Sequence, residues 1–540
     1  MRYIPIYFSL FLLSACYQTE STMTDSLIYC AAKAPKSFNP QISHDVATLD
    51  ATTHQLYNRL VKVDPISQRF SADIASHWEV NDAKTEYTFY LRKDINFHHT
   101  AYFKPSRQLN ADDIIFSFKR MLSQDHPFYS INNAINNELY NRPFSGLVGD
   151  IIKIDQYTLR FLLNKPNATL LANLAAHYAV IHSQEYGQQL LLAGHPEKID
   201  YSPIGTGPYQ FKSITNNRVI RYQAHRTPWQ APANINNLIF DITPNSSKRY
   251  AKLLSGECDI MTNPASSQVD QISKNPKVAL SSKPTGNISL IALNSKKAPF
   301  NDVAIRHALS EAIDLKTILS AVFFETAMST QNLLPDHSWA YNPRISKATY
   351  TPQESLVELK KNHFDFSRTI RILAPAKNSI FNPNFYKTAE LIQANWAEIG
   401  VKSVIVLLNA TELNQVLSHG DYDIYLTGKN PYIKDPDNLF RPLLSCNASP
   451  LEGNTSQWCD AQVQSLLDTT LLEVNFIQRV KNYYQLQEYI QAQRIYQPIA
   501  HMLRFDVFNK YISNLQVNSL TGINFQFVKK GNVINKEETQ

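Results

Sequence analysis

An α/β fold arranged in two lobes is what the sequence predicts, on three observations. Residues 387–399 place Ala389, Ile392, Trp396 and Ile399 on one helical face, Gly400 stops the helix, and residues 401–408 (VKSVIVLL) follow as a strand. That order is an α/β unit, and residues 422–426 read as a neighbouring strand. Runs of β-branched and aromatic residues at 85–91 (TEYTFYL), 157–163, 219–223 and 237–242 add strands to the first half. After a helical stretch at 475–494, Pro498 and an apolar run lead back toward that first half. The chain then crosses between its parts twice, which makes a hinge. With 540 residues, 44% of them hydrophobic and 18% charged, there is ample apolar material for two or three packed domains.

The elements follow in order. Arg2, an apolar stretch at 4–13 and Leu13-Ser14-Ala15-Cys16 read as a lipoprotein signal peptide over residues 1–15, with Cys16 as the lipidated residue. About ten apolar residues are too few to span a bilayer. Residues 16–25 are polar and form a tether, so the folded part begins at Ser26. Ala111-Asp112-Asp113 caps a helix at 114–121, whose Ile114, Ile115, Phe118 and Met121 share a face. Residues 168–181 read as a largely buried helix, and 228–245, rich in Pro and Asn, as a connection through which the 237–242 strand runs. Asp302 caps a helix at 303–313. The first lobe is expected over 26–285 plus 500–540, with an inserted subdomain at about 57–200, and the second over 286–499.

Charge and motif content exclude several functions. Fifty-two Lys and Arg against 46 Asp and Glu leave +6 without a long basic stripe, so nucleic acid is not the expected main partner. None of the 14 glycines completes a phosphate loop, a dinucleotide fingerprint or a nucleophile elbow, and no HExxH or CxxC occurs. No enzyme, cofactor or metal site is expected. Besides Cys16 there are four cysteines, an even set that predicts two disulfides. Of three connectivities, Cys446 with Cys459 is favoured by a separation of 13 and the loop-like Pro450, Gly453 and Asn454 between them, which leaves Cys30 for Cys258. His98 and His99 are adjacent on an extended segment and point to opposite faces, which favours structural roles over metal or haem ligation. Asp435-Pro436-Asp437 reads as a rigid turn before Phe440, and Trp78 and Trp396 as core residues.

Pro203-Ile204-Gly205-Thr206-Gly207-Pro208-Tyr209 is the most informative string. Two prolines fix φ, and two glycines give the turn backbone freedom. With Phe38-Asn39-Pro40, Tyr57-Asn58-Arg59-Leu60, Ser255-Gly256-Glu257-Cys258-Asp259, Arg306-His307-Ala308 and Asp435-Pro436-Asp437 in the same order, the chain resembles the peptide/nickel/opine family of ABC-transporter solute-binding proteins, in its dipeptide- and haem-binding branch.

The resemblance implies a type II, cluster C-like periplasmic binding protein with a ligand cleft between hinged lobes, and disulfides Cys30–Cys258 and Cys446–Cys459. It also implies a monomeric periplasmic receptor tethered through Cys16 that captures peptides, cationic antimicrobial peptides being one candidate class. Its partners would be an inner-membrane permease and a cytoplasmic ATPase. Haem is the alternative ligand, and a partner-binding adaptor without small-ligand transport the other alternative. Ligand contacts are expected at His44, Asp45, Thr48, Ser379, Phe381, Lys429 and Tyr432. Three of these depart from dipeptide-binding relatives, which hold the ligand ammonium with an aspartate where Tyr432 stands, the carboxylate with an arginine where Ser379 stands, and a tryptophan where Lys429 stands. Each lost charge-assisted anchor removes roughly 1.5–3 kcal/mol. Tight dipeptide binding is therefore not expected, and a tyrosine and a lysine suit a larger ligand.

Overall fold

The computed structural model describes residues 25–531 except 44, 65, 66, 68, 130, 132–145, 325, 347, 348, 432 and 519. The signal peptide, Cys16, the tether up to residue 24, His44 and Tyr432 lie outside the described residues.

One sheet of 11 strands runs through both lobes. On the second-lobe side, Thr369–Pro375 lies between Lys402–Leu408 and Ile424–Lys429 and is parallel to both. The crossover between the first two is the helix Phe385–Glu398, whose Ala389, Ile392 and Trp396 are buried. Trp396 Nε1–H donates to Leu309 O at 3.0 Å, and Gly400 takes φ 79° where the helix turns into the strand. On the first-lobe side the order is Ile260–Thr262, Ser26–Ala31, Asn237–Ile242, Val219–Ala224 and Tyr209–Thr215.

Two long antiparallel strands, Val278–Leu293 and Tyr496–Asn509, join the halves. Residues 278–284 pair with 503–509, and 288–292 pair with 496–501, with a break in register between Pro284 and Ile288. Below the break the second strand also pairs with Ile260–Thr262, and above it the first pairs with Ile424–Lys429. Thr285, Gly286 and Asn287 are thus the residues of the first strand at which the sheet passes from one lobe to the other. The return from Pro498 is this second strand.

A separate four-stranded antiparallel sheet, in the order Ala75–Val80, Glu86–Leu91, Thr158–Leu163, Val148–Lys153, packs on the helix Ala111–Leu122. Phe118 and Phe89 both meet Phe161 edge-on, with centroids 5.4 and 5.6 Å away. Asn110, one residue before the expected cap at 111–113, caps this helix, and Asp113 closes the capping box by accepting from Asn110 N at 2.9 Å. Arg107 grips the same carboxylate through two nitrogens. Asp112 meets Lys153 Nζ at 2.8 Å, so the paired carboxylates serve the helix end. The helix expected over 168–181 shrinks to Leu170–Leu174. Tertiary pairing wins there: Ile181 N–H donates to Asn58 O at 3.1 Å, and Val180 bridges to Arg59.

The disulfides are Cys30–Cys258 and Cys446–Cys459, with Cα atoms 5.9 and 4.7 Å apart. The interior of the first lobe also holds an ionic cluster. Arg504 donates to Asp50 through Nη1 and Nη2 at 2.9 and 2.8 Å, and to Asp506 through Nε at 2.9 Å, all three side chains being buried.

Candidate functional site: a cavity between the lobes

The signature string at 203–209 acts as a clamp. Gly207 N–H donates to Leu56 O at 3.0 Å and Tyr209 N–H to Gln55 O at 2.9 Å, laying the loop flat on residues 55–57. A Cβ on Gly205 would stand 2.0 Å from Leu56 O, so glycine is required here by close approach of two backbones, whereas the sequence suggested turn freedom. His98 fastens the other side: its N–H donates to Gly205 O, Gly205 N–H donates to its Nδ1, and Nε2 lies 2.9 Å from Gly207 O. With Nδ1 accepting, the proton sits on Nε2, and the ring is neutral. His98 is buried and His99 exposed, as adjacent positions on an extended segment require.

Burial holds His98 and His182 well below the ordinary imidazole range and brings His225 and His501 down to about 4. In the unfolded chain these rings titrate near 6.5, so the unfolded state takes up their protons first as pH falls. Their contribution is complete above about pH 6.5 and is lost toward pH 4, at roughly 1.4 kcal/mol per group per pH unit inside that window. The urea midpoint is expected to fall steadily between about pH 7 and pH 5. A flat profile would contradict neutral burial of these rings.

Clamping the 55–57 segment shapes a cavity of about 550 Å³. Its first-lobe wall comes from His54 to Asp64, Asp73, Arg92, Trp229 and Gln230, and from the C-terminal segment at 516–527. Ile433 and Lys434 close it from the second lobe, one residue beyond Tyr432. Asp73 organises the wall, accepting from Arg59 N at 3.0 Å and Gln230 Nε2 at 2.8 Å, while its carbonyl accepts from Arg92 Nε at 2.8 Å. The Arg92 guanidinium lies 5.8 Å from the Trp229 ring centre. Across the wall, His54 Nε2 is 2.8 Å from Thr521 Oγ1, and Thr206 Oγ1–H donates to Asn58 Oδ1 at 2.9 Å. Burial, then the charges of Arg59, Lys434 and Lys62, keep His54 neutral well below its ordinary range.

None of the described residues expected to touch ligand lines this cavity. Asp45 caps the helix Val46–Thr52, and its carboxylate is taken by Thr48 N at 3.1 Å and Thr48 Oγ1 at 2.7 Å. Thr48 in turn accepts from Lys36 N at 3.1 Å. Ser379 Oγ accepts from Phe381 N and Asn382 N at 3.3 and 3.2 Å, forming a turn. Phe381 lies against Gly428, and Lys429 is the next residue along that strand. Lys429 Nζ sits 3.5 Å from Glu452 O, and burial lowers its pKa to about 8. Phe381 and Lys429 therefore flank Gly428, with Ser379 in the turn before Phe381, while Asp45 and Thr48 pair in the first lobe. The cavity wall escaped the sequence reading because it is assembled from distant segments. One signal was available: Arg59 stands within the apolar run Leu56, Tyr57, Leu60, Val61, all buried.

Asp435 is bound by both terminal nitrogens of Arg479 at 2.9 and 3.0 Å, and Asp437 lies in the first turn of the helix Asp437–Leu444. The Asp-Pro-Asp string is thus a structural corner, fixing the loop that carries Ile433 and Lys434 into the cavity.

Comparison with known proteins agrees with this architecture. Residues 69–450 match the family model "Bacterial extracellular solute-binding proteins, family 5 Middle". The peptide transport periplasmic protein SapA of Salmonella typhimurium is 34% identical over 503 residues, 93% of this chain and 91% of that protein. Heme-binding protein A of Haemophilus influenzae is 34% identical over 492 residues, 90% of this chain and 89% of that protein. The solved structure of HbpA2 from Haemophilus parasuis superposes with a TM-score of 0.89 at 33% identity, covering 94% of this chain and 100% of that one. The chain belongs to family 5 of the bacterial extracellular solute-binding proteins.

Proposed function

We propose that this chain is the peptide-capturing receptor of an ABC transporter, working in the periplasm and handing its ligand to an inner-membrane permease driven by a cytoplasmic ATPase. In this reading it is a monomer tethered through Cys16, with lobes over 26–285 plus 500–540 and 286–499 and an inserted subdomain at about 57–200. The observation that carries the reading is the cavity of about 550 Å³ walled by both lobes, a size within the range of ligand pockets. The name of the Salmonella relative supports a peptide. Ser379 at the position of an anchoring arginine argues against a dipeptide held by both ends. Asp45, Thr48, Ser379, Phe381 and Lys429 lie outside this cavity, so in this reading they, with His44 and Tyr432, touch the parts of a longer ligand that reach past it.

Native mass spectrometry of the Ser26 to Gln540 domain tests this, as purified and after addition of dipeptides, longer peptides, a cationic amphipathic peptide and haem. A retained or added peptide longer than two residues is expected, with dipeptides held at least about tenfold more weakly because an anchor is lost. Failure of every peptide to bind would overturn the reading. Haem is the second reading, favoured by the neutral His54 imidazole on the cavity wall. A Soret band retained by the purified protein and lost in His54→Ala would establish it.

A further inference from the structure

Arg59 stands in a cavity wall where His54, Asn58, Asp73 and Gln230 all have hydrogen-bond partners, yet two of its own guanidinium nitrogens have none. The residue is 5% exposed, and the two nitrogens are Nε and Nη1. Its backbone is fixed by Asp73, whose two carboxylate oxygens are already used by Arg59 N–H and Gln230 Nε2–H. Trp229 Nε1–H, on the same cavity wall, is also buried without an acceptor. Unsatisfied buried donors of this kind are costly, and a guanidinium costs most. Buried donors of this kind are met by water, an ion or a ligand, and at a cavity wall the ligand is the candidate.

The charge of the surroundings names the acceptor. Arg59, Lys62, Arg92 and Lys434 line the cavity against two carboxylates, Asp64 and Asp73. Asp73 already accepts from Arg59 N–H and Gln230 Nε2–H, and Asp64 accepts from Ser67 N and Ser67 Oγ at 2.7 and 2.9 Å. Arg59, Lys62 and Lys434 line the same cavity as His54. A cationic pocket with open guanidinium N–H groups suits an anion such as a carboxylate. Lys434 comes from the second lobe, so an anion held at Arg59 also draws on the opposite wall.

We propose that Arg59, with Trp229 Nε1–H on the same cavity wall, binds a carboxylate of the ligand. This rests on the receptor reading and refines it: the carboxylate anchor missing at Ser379 is supplied instead by the first lobe. The carboxylate could come from a peptide C-terminus or from an acidic side chain, and the ligands below separate the two.

Isothermal titration of the wild-type domain and of Arg59→Gln and Arg59→Lys would use one peptide as the free acid, as the C-terminal amide, and as the amide with a glutamate added. The wild type is expected to prefer the free acid over the amide by about 10- to 100-fold. Arg59→Gln is expected to collapse that ratio, and Arg59→Lys to keep part of it, since lysine retains charge without the fork. If the glutamate peptide binds as tightly as the free acid, the anchor takes side-chain carboxylates as well. In parallel, acetate at equal ionic strength to chloride is expected to raise the melting temperature of the wild type and leave that of Arg59→Gln unmoved. A free-acid preference that survives in Arg59→Gln, or an acetate response equal in both proteins, overturns the proposal. Should no peptide bind the wild type, the receptor reading fails and the acetate comparison alone decides the role of Arg59.

Discussion

Arg504→Met is expected to lower the stability of the chain by about 3–5 kcal/mol, the cost of leaving buried charge without its partner. Arg504 is the only cation shared by Asp50 and Asp506 in the described hydrogen bonds, and all three side chains lie in the interior of the first lobe. Asp50 also accepts from Tyr29 Oη–H at 2.8 Å and Ile523 N–H at 3.1 Å, so the same carboxylate ties the N-terminal strand to the C-terminal segment. Removing the guanidinium sets two carboxylates against each other with no cation between them. Urea unfolding at neutral pH measures the loss. Replacing Asp50 and Asp506 by leucine in the Arg504→Met background is expected to regain part of it, because an apolar trio no longer carries unpaired charge. A loss below about 1 kcal/mol for Arg504→Met alone would show that the cluster contributes no more than a surface pair.

Gly205→Ala is expected to destabilise by more than about 4 kcal/mol, in the range reserved for a few severe mechanisms. The added methyl would stand 2.0 Å from Leu56 O and 2.9 Å from Leu56 C, and neither backbone atom can give way without shifting the clamp. Gly207→Ala meets the same obstacle, with Gln55 O at 2.5 Å and Leu56 C at 2.6 Å. Gly194→Ala is the control: its φ of +70° is unfavourable to alanine, but nothing stands within 4 Å, so the cost is about 1 kcal/mol. Soluble yield and melting temperature compare the three. Equal values for Gly205→Ala and Gly194→Ala would mean that the loop can lift from residues 55–57 at little cost.

What could be read from the sequence was local. The helix before Gly400 and the strand after it, the cap at Asp302 and the strand at 237–242 depend on residues a few positions apart, and the structure places each where the pattern does. The return from Pro498 was legible because an apolar run after a helix needs a sheet to join. Residues 168–181 were not, since their apolar content fits a buried helix and an extended buried segment equally well, and only the distant Asn58 and Arg59 decide between them. The same distance hid the cavity. Arg59 stood in a family string, but the wall around it is built by pairing Asp73 with Gln230, 157 positions away in the chain. Gly205 was visible as a necessary glycine, though its reason, the carbonyl of Leu56, was not.

The strand Tyr496–Asn509 lies in the middle of the large sheet and near the end of the chain, and this sets an order of assembly. Ser26–Ala31 finds both of its partners, Asn237–Ile242 and Ile260–Thr262, within the first half, and Cys30 meets Cys258 there. The helices and parallel strands between residues 369 and 429 are likewise close in sequence. Ile260–Thr262 and Val278–Leu293, however, each keep an open edge until residues 496–509 arrive. Two half-built sheets must wait for one late strand, and the contacts it makes span more than 200 residues. Such long-range pairing is slow to form, so joining the lobes is the final and slowest step of folding.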